Sequence, residues 1–197
     1  TYLPGNPQNA LATQNQKTTD YAFFGSLNWR LSGSWDLAGG LRYSDDEKDF
    51  WVDWVQPLFQ EPLDEPITRN VGDSFVSWDV SATYKANQNV NLYGRVATGF
   101  RAPSVQGRIT FCPVPEQCVT TADTEQILSG EIGLKSILAD NKVRLNLTAY
   151  IFEMEDQQLT AVGGEFNAAT LLNADKTKGH GLEADVEWIP SGNWIMT

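Results

Sequence analysis

The chain has 197 residues, a hydrophobic fraction of 41% and a formal net charge of −11. No run of the sequence approaches the ~18–20 consecutive apolar residues of a spanning helix, which excludes a helical membrane protein. The acidic balance leaves no basic patch to neutralise phosphates and argues against a nucleic-acid-binding protein.

Seven stretches of the sequence alternate between apolar or small side chains and polar ones. In chain order they are Tyr21–Leu31, Trp35–Ser44, Ser74–Tyr84, Val90–Arg101, Ile127–Leu138, Lys142–Glu153 and Gly179–Ile189. Successive side chains of a β-strand point to opposite faces, so this period of two predicts a strand in each stretch. Asn193–Thr197 resembles the opening of an eighth strand.

The charged residues of these stretches share one face. Of fourteen charged residues in the seven stretches, thirteen lie on the polar side, and Glu153 at a strand end is the exception. A slip of one residue would move all the charges of a strand to the other face. The pattern fits a transmembrane barrel wall with lipid outside and water inside. A soluble β-sandwich also alternates, with its apolar face inward, and is the alternative.

Large aromatic side chains lie near both ends of the strands on the apolar face. Beside the short turns these are Trp29, Trp35, Tyr84 and Trp188, and towards the long connections they are Tyr21, Tyr43 and Phe100. Two such bands are typical of the aromatic girdles at the interfaces of a membrane barrel, where an amphipathic ring is stable.

Connection lengths alternate along the chain. Short turns fall near Ser32–Ser34, Lys85–Asn89, Ala139–Asn141 and Pro190–Asn193, and long segments fall at Asp45–Asp73, Ala102–Gln126 and Glu155–Lys178. Bacterial outer-membrane barrels have short periplasmic turns and longer extracellular loops. We therefore predict an all-β, antiparallel up-and-down transmembrane barrel. Lipid does not tolerate open strand edges, so these strands belong to a larger closed wall.

Two cysteines, Cys112 and Cys118, lie in one long connection. They are too few for a metal site of their own, and no metal site is predicted. An exported loop lies in an oxidising compartment, which favours a disulfide between them, with free thiols as the alternative.

The first long connection is rich in aromatic residues. Trp51, Trp54 and Phe59 are candidate ligand-binding residues, because aromatic rings with nearby polar atoms suit a flat chelate or a sugar. The alternative is that these rings pack the loop against itself or extend a strand above the membrane.

Catalytic chemistry finds little support in the sequence. His180 is the one histidine, and it is predicted to lie at the rim of a strand beside two glycines. No nucleophile elbow, phosphate-binding loop or dinucleotide motif is present, so neither an enzyme nor a cofactor is expected.

One segment, Tyr93–Ser104, resembles the strand-to-loop signature of TonB-dependent outer-membrane receptors. Further pieces are similar to that family and follow in the same order, namely Gly40–Lys48, Glu131–Ser136, Leu172–Ala174 and Gly181–Glu183. Together the pieces cover nearly the whole chain.

The resemblance implies a plugged barrel of about 22 strands in the bacterial outer membrane. Its implied function is import of a siderophore-like metal chelate or similar scarce nutrient, driven through TonB. The implied partners are outer-membrane lipid, TonB, a plug domain and the ligand. The sequence shows no plug and no TonB-contacting segment, so residues 1–197 are expected to be about eight strands of one barrel domain. The alternatives are a passive porin-like channel and a soluble adhesin or carbohydrate-binding β-sandwich.

Within the signature, Gly99, Phe100, Arg101, Ala102, Pro103 and Ser104 form a motif that we interpret as structural. Phe100 can anchor at the outer interface, and Pro103 ends the strand because it cannot donate to a ladder. Arg101 is predicted to face the lumen. The alternative to a purely structural role is that Arg101 contacts an anionic metal chelate.

Overall fold

A computed structural model describes residues 11–56, 63–109, 112, 114–163, 168–191 and 194–196. Eight strands form one antiparallel sheet in which each pairs with the next member of the set. They are β1 (Leu11–Arg30), β2 (Trp35–Gln56), β3 (Ile67–Lys85), β4 (Val90–Arg101), β7 (Glu125–Leu138), β8 (Val143–Gly163), β9 (Ala168–Ser191) and β10 (Trp194–Met196). Between β4 and β7 lie β5 (Ser104–Gln106), a short helix α1 (Pro115–Cys118) and β6 (Thr120–Ala122). No helix in the described ranges is long and apolar enough to cross a membrane.

The register of the sheet keeps the two faces apart across all the long strands. Leu27 of β1 pairs with Gly39 of β2, and Gly39 pairs with Val80 of β3. Val80 pairs in turn with Val96 of β4, so the small and apolar sets form continuous rows. We call this side the apolar face and the side that carries the charges the polar face.

Large side chains on the apolar face are exposed in the described part of the chain. Leu182 is 85% exposed, Leu27 70% and Ile132 68%. A soluble sandwich would bury these side chains in its centre, because apolar area is removed from water there. The exposed face confirms the membrane-wall interpretation and contradicts the sandwich alternative.

The apolar set has the length that a bilayer requires. It runs from Tyr21 to Trp29 in β1, from Trp35 to Tyr43 in β2 and from Val76 to Tyr84 in β3, nine residues in each. At about 3.4 Å per residue and a tilt of ~40°, nine residues rise roughly 20–25 Å, close to the apolar band of an outer-membrane barrel.

Charges on the polar face pair across neighbouring strands, as the alternation predicts for a watery interior. Arg95 Nε lies 3.7 Å from an oxygen of Asp79, and Arg144 Nη1 lies 3.3 Å from an oxygen of Glu187. These side chains are partly exposed, so each pair contributes little to stability and mainly keeps charge away from lipid.

The strands run further than the sequence predicted. Two segments predicted as loops, Asp45–Asp73 and Glu155–Lys178, are largely strand, because β2, β3, β8 and β9 continue well above the apolar band. This correction has a physical reason. Above the membrane both faces of the sheet meet water, so the strands no longer need an apolar face and the alternation disappears from the sequence.

By contrast, β4 and β7 end close to the band. The described residues between them, 102–109, 112 and 114–124, contain β5, α1 and β6 and lie against the polar face of the longer strands. We call this segment the inner loop.

The one charge that broke the alternation has a local explanation. Glu153 lies on the apolar side of β8 directly above the band, and its oxygens lie 2.5 Å from Lys176 Nζ and 2.7 Å from Lys178 Nζ of β9. Lys176 also lies 3.1 Å from Glu155. Hydrogen bonds from Lys176 and Lys178 lower the pKa of Glu153 to about 2. We call these four residues the rim cluster.

A first prediction tests the assignment of faces. Val80→Arg should destabilise the parent barrel by about 2–4 kcal/mol, since it places a cation in the middle of the bilayer. Ser81→Arg, one residue along on the polar face, is the matched control and should be much milder. Urea unfolding of the two variants in lipid vesicles measures the difference, and equal destabilisation would contradict the assignment.

A second prediction concerns the rim cluster. Folding lowers the pKa of Glu153, so its ion pairs stabilise the fold fully above the ordinary value of 4.5 and lose that contribution as the pH falls towards about 2. Lys176→Gln should move the pKa of Glu153 back towards its ordinary value, and Lys17→Gln on β1 should not. Titration of the carboxyl carbon resonance by NMR measures both variants. An unchanged pKa in Lys176→Gln would refute the pairing.

Candidate functional site

The candidate site is the polar face above the apolar band, where the inner loop lies. The loop begins at Pro103, which cannot donate to a ladder and so ends β4. Two short strands then pair with each other, with Ser104 opposite Ala122 and Gln106 opposite Thr120. The loop thus has a hairpin at its base and the disulfide segment at its tip.

An apolar cluster joins the tip of the inner loop to the polar face of β2 and β3. It is the one buried hydrophobic cluster that the described residues form. The strands contribute Phe50, Val52, Trp54 and Ile67, and the loop contributes Ile109, Cys112, Cys118 and Val119. Burying these side chains stabilises the loop in its inward position, because a free loop would expose them to water.

At one point of this contact the backbone of the inner loop passes very close to the ring of Phe50. A Cβ atom at Gly107 would lie 2.1 Å from Cζ of Phe50, which is itself buried. Any other residue at position 107 would force the loop or the buried ring to shift.

A disulfide joins Cys112 to Cys118, whose Cα atoms lie 6.3 Å apart. It is the pairing that the sequence favoured over free thiols. Both cysteines are buried within the apolar cluster, and α1 carries a proline in its first turn. The bond closes the tip of the loop and limits its freedom when it leaves the cluster.

On the opposite side of the loop, a buried glutamine holds the base of the loop to β8. Gln158 Nε2 donates to the carbonyl oxygens of Ala102 and Asp123, each at 2.9 Å. Its Oε1 accepts from Ser104 Oγ at 2.7 Å, and its backbone N–H donates to Glu125 at 2.7 Å. A fully bonded buried amide orders its surroundings, whereas an unpaired one is costly.

Further hydrogen bonds extend this contact to β9. The Asp123 N–H donates to Asn173 Oδ1 at 2.8 Å, and the Leu171 N–H donates to Thr120 Oγ1 at 2.8 Å. Gln106 Nε2 donates to the carbonyl of residue 169 at 2.7 Å. The loop therefore connects β2 and β3, through apolar contacts, with β8 and β9, through polar ones.

The aromatic ligand candidates do not come together. Trp51 is 38% exposed and lies on the same side of β2 as Tyr43, away from the polar face. Trp54 is 2% exposed and packs in the apolar cluster. Phe59 lies outside the described residues. Trp51 thus lies on an extended strand, and Trp54 packs against the inner loop.

The motif of Gly99 to Ser104 anchors the inner loop. Phe100 stacks on Phe75 with ring centroids 4.9 Å apart, at the level where the pairing of β3 with β4 has stopped. The carbonyl of Pro103 accepts a hydrogen bond from Lys48 Nζ at 2.5 Å. Arg101 is exposed at the base of the loop, with Glu125 of β7 opposite it in the ladder.

Sequence reasoning missed the residues that hold the loop. Gln158 and Asn173 fall within a segment predicted to be loop, where an isolated amide is typical of an exposed position. Their partners in the inner loop are 35 to 56 residues distant along the chain, so no local pattern predicts these contacts. Gly107 carried no signal either, because its requirement comes from a ring on another strand.

The described residues offer little catalytic chemistry. No three histidine, cysteine or carboxylate side chains gather there as potential metal ligands. His180 is exposed on the outward side of β9, opposite Ile151 of β8.

Comparison with known proteins identifies the family. Residues 1–195 match the family model described as TonB dependent receptor-like, beta-barrel. The chain belongs to this family. Members are outer-membrane β-barrel proteins, so the polar face is the lumen side of the wall and the apolar face meets lipid.

Curated relatives include two pesticin receptors. The one from Yersinia pestis is 26% identical over 173 residues, and one from Yersinia enterocolitica is 25% identical over the same length. Each match covers 88% of this chain and 24% of the relative. The chain thus spans about a quarter of the length of these relatives.

Solved structures share the fold. The ferric yersiniabactin uptake receptor FyuA from Yersinia pestis matches with a TM-score of 0.75 and 21% identity, over 93% of this chain and 26% of that one. The copper transporter OprC matches with a TM-score of 0.70 and 18% identity, over 91% and 28%. The eight strands are therefore one sector of a barrel wall.

A third prediction tests how the inner loop is seated. Gly107→Ala should weaken the apolar contact by about 1–3 kcal/mol, because its methyl group overpacks the buried Phe50 ring. Gly163→Ala is the matched control, since a Cβ there meets nothing within 4 Å. The rate of tryptic cleavage at the exposed Arg108 of the folded full-length receptor should rise only in Gly107→Ala. Equal rates would contradict the contact.

Proposed function

We propose that the chain is part of an outer-membrane receptor that imports a siderophore-like metal chelate with energy supplied through TonB. The family match over residues 1–195 carries this proposal. Two relatives support the substrate class, since one solved structure is a ferric yersiniabactin uptake receptor and another is a siderophore receptor, PiuA from Acinetobacter baumannii.

The lumen side above the membrane suits ligand contact. The apolar cluster and the hydrogen bonds of Gln158 hold the inner loop against this side of the wall. A binding surface benefits from such rigid support. A preformed surface spends less free energy on ordering when the ligand binds.

Arg101 is the residue that we propose to contact the ligand. Its side chain is exposed at the base of the inner loop, on the polar side of β4 where Arg95 also lies. A guanidinium donates two parallel hydrogen bonds to a carboxylate or similar oxygen pair, which suits an anionic chelate.

A fourth prediction tests this function in the full-length receptor. Cells that rely on the receptor should take up radioactive iron as ferric yersiniabactin or a ferric catecholate, and loss of TonB should abolish the uptake. Uptake that continues without TonB would instead support a passive channel and overturn the proposal. No uptake and no binding of either chelate would overturn the proposed substrate class.

Binding of the chelate to the purified full-length receptor tests the role of Arg101. Arg101→Gln should weaken binding of the accepted chelate about tenfold or more, the scale of one charge-assisted pair. Lys142→Gln, exposed in the turn at the far end of the wall, is the matched control and should bind normally. Equal binding by both variants would remove Arg101 from the proposed site.

A further inference from the structure

A cavity lies on the polar face between the inner loop and the upper part of β1. Its volume is about 690 Å³, within the ~300–1,000 Å³ of small-molecule sites. The strands contribute Gln14, Gln16 and Phe50 to its lining, and the loop contributes the segment from Val105 to Ile109. Arg101, at the base of the loop, is not among the lining residues, so this cavity is a separate part of the lumen side.

The floor of the cavity is apolar and held in place. Phe50 and Ile109 are both buried, and the backbone of Gly107 packs directly on the Phe50 ring. The Ile109 N–H donates to the carbonyl oxygen of Gly107 at 3.0 Å. These contacts fix the loop segment in the free protein, so a ligand that enters the cavity does not have to order it.

Two glutamines form the polar wall on the β1 side. Gln14 lies directly opposite Val52 of β2, and Gln16 lies opposite Phe50, so both side chains share the polar face with these residues. Both glutamines are exposed. A primary amide has two N–H donors and one carbonyl acceptor, and the pair therefore offers four donors along one side of the cavity.

A single cation lines the cavity in an acidic protein. Arg108 is the one charged residue among the described lining residues, although the chain has a formal net charge of −11. Its backbone N–H donates to Gln106 Oε1, which fixes its position. Two other cations on this side of the loop, Lys48 and Arg69, donate to carbonyl oxygens of the inner loop. The exposed Arg108 guanidinium takes part in no ion pair within the described ranges.

We propose that this cavity receives an anionic, oxygen-bearing arm of the imported chelate, with Arg108 and the amides of Gln14 and Gln16 as its donors. This subsite rests on the import function proposed above and adds a second contact to that of Arg101.

The chemistry of the lining favours an anion over a cation. A guanidinium presents paired N–H groups that match the two oxygens of a catecholate or a carboxylate, and a hydrogen bond to an ionised acceptor is stronger than a neutral one. The described lining offers no carboxylate that would attract a cation or repel such a ligand. The apolar floor under the donors accommodates the carbon skeleton of the arm.

The experiment measures chelate binding to the purified full-length receptor by isothermal titration calorimetry. The probes are ferric yersiniabactin and a ferric tris-catecholate. Arg108→Gln should bind the chelate that the parent accepts about tenfold more weakly, the scale of one charge-assisted hydrogen bond. Lys17→Gln is the matched control, because it removes a lysine from the other face of β1 close to the cavity, and it should bind as the parent does.

The double variant Gln14→Leu/Gln16→Leu tests the polar wall. It nearly conserves side-chain volume but removes four donors, so it should weaken binding by about threefold to tenfold. Heat-dependent migration in gel electrophoresis confirms that each variant is folded. Normal affinity in Arg108→Gln would overturn the subsite and leave the import function standing, and normal affinity in the double variant would overturn the role of the amides. A parent receptor that binds neither chelate would overturn both proposals.

Protection from trypsin tests the contact without a substitution. Trypsin must bind the Arg108 guanidinium to cleave after it, so saturating chelate should slow cleavage at Arg108 in the parent receptor. Cleavage at Lys142, exposed in the turn at the far end of the wall, is the internal control and should not change. Equal cleavage at Arg108 with and without bound chelate would overturn the proposed contact.

Discussion

The rest of the structure depends on one constraint, the separation of the two faces of the sheet across a lipid layer. Within the band, each strand must bond all its backbone groups to its neighbours and turn only apolar or small side chains outward. The register that pairs Leu27, Gly39 and Val80 keeps this separation through the sheet. Charges such as Arg95 and Asp79 then have only the lumen side available, where they pair.

Above the band this constraint ends, and the strands no longer need an apolar outward face. The long strands continue into water on both sides, whereas β4 and β7 end early and release the inner loop. The loop supplies the buried core that the membrane-spanning wall lacks in the described residues. Hydrophobic burial, a disulfide and the hydrogen bonds of Gln158 hold it against the lumen side, where the proposed ligand contact Arg101 lies.

The rim cluster lies at the boundary between the membrane band and the part of the wall above it. Glu153 looks like an error in the alternation when its strand is considered alone, but it has two lysine partners on β9. An ion pair at this height is stable because water still reaches it, and one row lower it would meet hydrocarbon. The charges therefore mark where the wall leaves the lipid.

The sequence by itself determined the strands within the band, their faces, the short turns after β1, β3 and β7, and the family. The reason is that a two-sided environment imposes a period of two on every strand. It also favoured the disulfide between Cys112 and Cys118. Only the tertiary structure decided the length of the strands above the membrane, the burial of Trp54 and the role of Gln158. These depend on contacts between residues distant in the chain, in a region where water on both sides removes any periodic pattern.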